Sequence, residues 1–111
     1  MTQITFKANN GQAIASGILG QDIVELEGYY YFSSDKVDLS DLVKQEKAYT
    51  CHIKNSTCDY YFVKDAAGNK VGREVAWIYP VITNSLFKSI EGKVGLYPRG
   101  SDGLEMESVI Q

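Results

Sequence analysis

The most reactive residue types in this chain of 111 residues sit close together, as Cys51-His52-Ile53-Lys54 followed by Cys58-Asp59. A lysine ammonium beside a thiol lowers its pKa and favours the thiolate, the form that acts as a nucleophile. That makes Cys51 the candidate for covalent or redox chemistry. Successive residues of a strand point to opposite faces, so His52 is poorly placed to serve Cys51 as a base. Free cysteines are commonly small buried hydrophobes, and Cys51 is expected to line a core or a ligand site rather than to react. A tetrahedral zinc site from Cys51, His52, Cys58 and Asp59 is not expected, because six residues separate the two cysteines where a Cys-Cys ligand pair is typically spaced by two to four. A redox disulfide between Cys51 and Cys58, across the turn at 54–57, is the remaining thiol chemistry.

The second set of candidates is aromatic and charged: Glu27, Tyr31, Lys54, Tyr61, Trp77 and Tyr79. Aromatic walls with one carboxylate and one ammonium suit a small polar ligand. The same side chains also suit a β core whose tyrosine hydroxyls find partners at its edge. Two other patterns carry no chemistry. Asn55-Ser56-Thr57 fits a glycosylation sequon, which matters only in an exported chain. Gly100-Ser101-Asp102-Gly103 faintly matches the Gly-Ser start of nucleotidyltransferases but lacks the following paired aspartates that two-metal phosphoryl chemistry needs. No P-loop, dinucleotide fingerprint or Ser-His-Asp set occurs.

The segments that must position these residues are mostly strands. Ile4, Phe6 and Ala8 alternate with Thr5 and Lys7, and Asn9-Asn10-Gly11 turns the chain into Gln12–Ser16. In Asp22–Glu27, Val24 and Leu26 share one face while Ile23, Glu25 and Glu27 share the other. Gly28 interrupts, and Tyr29–Phe32 resumes the strand. Lys47–Ile53, Cys58–Lys64, Val71–Tyr79, Lys93–Tyr97 and Leu104–Ile110 are further predicted strands, with a hairpin tip at Asp65–Asn69. Asp38–Lys44 and Asn84–Ile90 predict short helices, the second with Ser85 as N-cap and Gly92 as its stop. The eight tyrosines favour pleated sheet, where aromatic rings pack well.

Taken in order, these segments form a pattern. Asp22-Ile23-Val24-Glu25-Leu26-Glu27-Gly28 with Tyr31-Phe32, then Thr50–Lys54, Asp59-Tyr60-Tyr61, Ala76-Trp77-Ile78-Tyr79-Pro80 and Ile90–Tyr97 resemble a small bacterial family known as domain of unknown function 427. The resemblance covers residues 4–110. It departs from the family pattern where His52 replaces a Pro, where Asn55 replaces a Gly, and in one extra residue, so the loop after Lys54 is expected to sit differently. The resemblance implies a mainly β, β-tent-like single domain over 1–111, of antiparallel strands with one or two short helices. That shape is similar to zinc-dependent guanine-nucleotide-release and methionine-sulfoxide-reductase domains, which hold metal through Cys-x-x-Cys pairs. This chain has no such pair and is expected to be metal-free. The family is sometimes labelled nucleotidyltransferase, and no residues here support that label. The resemblance also implies that the segments carrying Glu27, Tyr31, Cys51, Lys54, Tyr61, Trp77 and Tyr79 line one cleft.

Composition narrows the partners. Hydrophobic residues are 44% and charged residues 23%, with a net charge of −3, which argues against a binder held by nucleic-acid phosphates. The charge is uneven: residues 43–99 hold nine bases against five acids, between acidic ends. No stretch nears the roughly 18 apolar residues of a membrane span, and the first residues lack a basic and apolar leader, so export is not expected and a reducing cytoplasm is. The expected function is a small cytoplasmic domain binding a small polar ligand in an aromatic-lined cleft, without a tight cofactor, as a monomer or homodimer. Two alternatives differ in class. An enzyme using Cys51 as nucleophile or redox thiol requires a lowered thiol pKa. A structural protein-interaction module requires exposed aromatics or a free sheet edge.

Overall fold

The computed structural model describes residues 1–8, 11–45, 49–51, 56–65, 67–100 and 103–110. Among the described residues ten strands carry the architecture: β1 (Thr2–Ala8), β2 (Ala13–Ile18), β3 (Ile23–Leu26), β4 (Tyr29–Phe32), β5 (Leu42–Lys44), β6 (Tyr49–Cys51), β7 (Ser56–Lys64), β8 (Lys70–Ile78), β9 (Val94–Leu96) and β10 (Leu104–Ile110). They form a three-stranded sheet, β10-β1-β2, and a larger sheet ordered β3-β4-β9-β8-β7-β5 with β6 also paired to β7. Every strand pair is antiparallel. The chain is thus mainly β, built as two antiparallel sheets.

Alternation decides what each strand buries. Ile4 and Phe6 of β1, Ile14 and Ala15 of β2, and Leu104 of β10 meet Ile23, Phe32, Val75, Ala76, Val94 and Leu96 of the larger sheet in one core. Phe6 and Phe32 lock the sheets with an edge-to-face contact, centroids 5.7 Å apart, a geometry that the ring quadrupoles favour. The outer face of the small sheet is polar: Gln3 Nε2 donates to Ser16 Oγ at 3.0 Å, and the hydroxyls of Thr5 and Ser16 lie 3.1 Å apart. One wet face and one packed face is the usual antiparallel arrangement. The larger sheet differs, because its second face is also covered, and the candidate residues collect there.

Several local expectations change. Asn9 and Asn10 lie outside the described residues; around them, Gly11 N–H donates to the Ala8 carbonyl. At the end of β3, Glu27 and Gly28 have φ of 55° and 81°. A two-residue hairpin turn with both φ positive matches the right-handed strand twist, so Glu27 occupies the turn itself rather than the strand. The predicted helix at Asp38–Lys44 splits. Leu39–Asp41 makes one 3₁₀ turn, with the Asp38 carboxylate accepting from Ser40 N–H, and Leu42–Lys44 then pairs with β7. A strand partner for Leu42 and Val43 outweighs a helical spacing only seven residues long. The second predicted helix is also 3₁₀, over Ser85–Ile90, and Asn84 rather than Ser85 caps it. A further 3₁₀ turn at Ser34–Lys36 has no counterpart in the sequence reading. Among the described residues no helix is long and apolar enough to cross a membrane.

Candidate functional site

One rung of cross-strand partners runs over the covered face of the larger sheet. Val24 lies opposite Tyr31, Tyr31 opposite Gly95, Gly95 opposite Trp77, and Trp77 opposite Tyr60. Tyr31 is 1% and Trp77 5% exposed. A buried indole N–H needs an acceptor, and Trp77 Nε1 finds one in the Tyr31 hydroxyl at 3.1 Å. The two side chains meet above Gly95. A Cβ there would lie 2.4 Å from Trp77 Nε1 and 2.9 Å from Tyr31 Cε1, so only glycine leaves room for the pair.

The next residues on the same face extend the aromatic wall. Tyr29 packs edge-to-face on Trp77, centroids 5.1 Å apart, and on Tyr97 at 5.7 Å; Trp77 and Tyr97 lie 5.0 Å apart. Tyr29 and Tyr97 are half-buried and form the rim, with Trp77 and Tyr31 as the floor. The Tyr97 hydroxyl donates to Glu74 Oε1 at 3.2 Å. Burial first, and then the Glu74 carboxylate, push that hydroxyl above the usual phenol range, with Arg73 pulling the other way. The Arg99 guanidinium stands 5.8 Å over the Tyr97 ring, within cation–π reach. Glu74 arrives through a wide irregularity in β8: Tyr61 pairs with Ala76, yet Val63 pairs with Val71. The additional β8 residues between these pairs include Arg73 and Glu74, and bulges re-aim side chains in this way.

The connection from β8 to β9 covers the floor. It leaves β8 at Tyr79 and closes on itself where Gly92 N–H donates to the Tyr79 carbonyl at 2.9 Å. Ile82 and Ile90, both buried, join Tyr31, Cys58, Trp77 and Tyr79 in a second apolar cluster. Glu91 holds the loop in shape. Its Oε2 accepts from Ile82 N–H at 2.8 Å and from Lys88 Nζ at 2.6 Å, while Lys88 Nζ also donates to the Ile82 carbonyl at 3.0 Å. The Ile82 amide first, and then Lys88, keep the Glu91 carboxyl below the ordinary glutamate value of 4.5. A carboxyl whose folded pKa is depressed adds stability above its unfolded pKa and loses it as pH falls through the folded one. The wild-type protein is therefore expected to lose its stability advantage over Glu91→Gln as pH drops below 4.5. Paired urea titrations at neutral and strongly acidic pH check this, and an unchanged difference would contradict it.

The structure brings together only some of the residues the sequence singled out. Tyr31, Trp77 and Tyr79 belong to one cluster. Tyr61 stands apart, because it packs on the inter-sheet core instead. Glu27 is exposed in its hairpin turn. Lys54 and His52 lie outside the described residues, and of Cys51 only the strand position is described, opposite Ser56. Cys58 pairs in register with Tyr49, so the two cysteines are offset diagonally. Diagonal neighbours stand about 7–8 Å apart, whereas disulfides span Cα distances of about 4.4–6.8 Å. Cys58 is buried in the aromatic cluster, while Asp59, next to it on β7, faces the other way toward Lys44 Nζ at 3.6 Å. Those two cannot converge on one metal from an undistorted strand. Among the described residues, no group of three or more His, Cys, Asp or Glu is placed to hold a metal ion. A separate open groove of about 360 Å³ lies between β2 and residues 35–38, with none of the candidate residues in its lining.

Tyr29, Tyr60, Glu74, Gly95 and Tyr97 belong to the aromatic face and were not among the sequence candidates. The alternation in Tyr29-Tyr30-Tyr31-Phe32 carries the signal for Tyr29, since it shares a face with Tyr31. The sequence profile of a family described as a domain of unknown function (DUF427) matches residues 6–108. The chain belongs to the DUF427 family. The match runs from β1 to β10, so the aromatic rung, its rim and its covering loop all lie within the DUF427 unit. No curated protein matches the chain.

Proposed function

We propose that this DUF427 protein is a small cytoplasmic binding domain that holds a small polar ligand against the Tyr29–Trp77–Tyr97 wall. The observation that carries the reading is the rim: two half-buried tyrosines around a buried tryptophan, with a Glu74 carboxylate on one hydroxyl and the Arg99 guanidinium over the ring. An apolar wall with a few fixed polar groups is the usual composition of a small-molecule site. Tyr31 and Tyr79 belong to the floor, and Cys51 and Lys54 enter the proposal on β6 and the segment that follows it. Tyr61 packs on the inter-sheet core and Glu27 is exposed in its turn, so neither is part of the wall.

Native mass spectrometry of protein purified gently from its own host tests the reading. Mass above the 12.3 kDa chain, lost from Tyr97→Phe and Glu74→Gln variants that still fold, is the expected result. A bare chain, together with no change in Trp77 fluorescence on adding a fractionated metabolite extract, would overturn it. An exact multiple of the chain mass would favour the interaction-module alternative.

A further inference from the structure

The floor of the aromatic site is closed by the loop from Tyr79 to Gly92, whose ends meet through the Gly92-to-Tyr79 hydrogen bond. Compact loops of this length with adjacent ends and their own internal packing are Ω-loops, which often carry function. Three features set this one apart from a simple connection between neighbouring strands. Its only regular structure is the 3₁₀ turn Ser85–Ile90, capped by the Asn84 side chain accepting from Leu86 N–H at 3.0 Å. Ile82 and Ile90, with the half-buried Phe87, fasten it into the apolar cluster that holds Tyr31 and Trp77. Its shape is set by one carboxylate, Glu91, which ties Ile82 at one end to Lys88 near the other. Three apolar side chains, Ile82, Phe87 and Ile90, and a local polar clasp form a unit that can lift while the ladders of β8 and β9 stay paired. Segments held by few buried contacts open locally at a small fraction of the global unfolding free energy.

We propose that the Tyr79–Gly92 loop is a lid over the Trp77–Tyr31 pair, kept shut by Ile82 and Ile90 and kept in shape by Glu91. The proposal rests on the binding role given above to the aromatic wall, for which the lid supplies the entry route. With the lid down, Trp77 is 5% exposed and a ligand can reach only the Tyr29 and Tyr97 rim. Lifting Ile82 and Ile90 uncovers the indole without breaking its hydrogen bond to Tyr31.

The test needs no ligand, because Trp77 is the single tryptophan and reports its own exposure. Acrylamide quenching of its fluorescence is measured in the full chain and in Glu91→Gln, alongside hydrogen exchange of individual amides. In the unmodified protein the Ile82 and Gly92 amides are expected to exchange well ahead of those of Ala76 and Leu96. Glu91→Gln is expected to raise both loop exchange and Trp77 quenching several-fold while the strand amides keep their rates. Loop amides that exchange in step with the strands would overturn the lid, as would a variant that accelerates all amides alike or leaves quenching unchanged. The two readings fail separately. A lid that opens in a protein that retains no ligand removes the proposed function alone, and a ligand retained beneath a loop that never opens removes the lid alone.

Discussion

Trp77→Ala is expected to cost the fold about 3–5 kcal/mol, the usual range for emptying a large aromatic from a packed core. The indole is in contact with Tyr29, Tyr31 and Tyr97 at centroid distances of 5.0 to 6.2 Å and lies almost wholly out of solvent. Its removal deletes three ring contacts, leaves the Tyr31 hydroxyl without its indole donor, and opens a cavity that the loop from Tyr79 to Gly92 must cover. Domains of this size have about 5–15 kcal/mol of total stability, so one substitution takes a large share of it. Urea denaturation of wild type and variant measures the loss directly. Trp77→Phe keeps a ring in place and should lose distinctly less. A cost for Trp77→Ala within about 0.5 kcal/mol, the range of ordinary surface changes, would mean that the aromatic face is not a packed floor.

The second large effect is expected at a residue with no side chain. Gly95→Ala places a methyl group where the indole edge and the Tyr31 ring already meet, and overpacking of this kind costs about 1–3 kcal/mol. The nearest obstructing atoms, ahead of Tyr31 Cε1, are Nε1 and Cε2 of the Trp77 five-membered ring, a ring edge that a phenylalanine lacks. The cost of Gly95→Ala should therefore shrink in a Trp77→Phe background, with a coupling above about 0.5 kcal/mol, as expected for residues in direct contact. The same methyl should push the indole off the Tyr31 hydroxyl and shift Trp77 emission toward the red. Equal costs in the two backgrounds would show that Gly95 is required for its backbone and not for the space it leaves.

These two residues illustrate how far the sequence reaches. Trp77 is legible as a candidate because its type is rare and amphipathic. Gly95 is not, since nothing in Lys93–Tyr97 tells that a tryptophan eighteen positions away will lie beside it until β9 is known to pair with β8. Glu74 and Tyr97 are hidden for the same reason, with an added obstacle in the β8 irregularity, which breaks the alternation that would assign Glu74 to a face. Tyr61 shows the converse. Its type suggests a site, but register turns it to the inter-sheet core while its neighbour Tyr60 joins Trp77.

Patterns of local origin carry over well. Strand content, the break at Gly28, the tip at Asp65–Asn69 and the span Leu104–Ile110 are all set by side-chain alternation and turn chemistry within a few residues. Of the two helical stretches, Asn84–Ile90 carries over as a 3₁₀ helix, whereas Asp38–Lys44 keeps a single 3₁₀ turn because its seven residues of weak helical pattern cannot hold against pairing of Leu42–Lys44 with β7. By itself, then, the sequence determined that this DUF427 chain is mainly β and which residue types are available for binding. The tertiary structure alone decided which of them meet. Alternation sorts residues onto two faces of a strand, but the strand order and the path of the Tyr79–Gly92 loop settle which face is shared with the second sheet and which is lined by Tyr29, Tyr31, Trp77 and Tyr97.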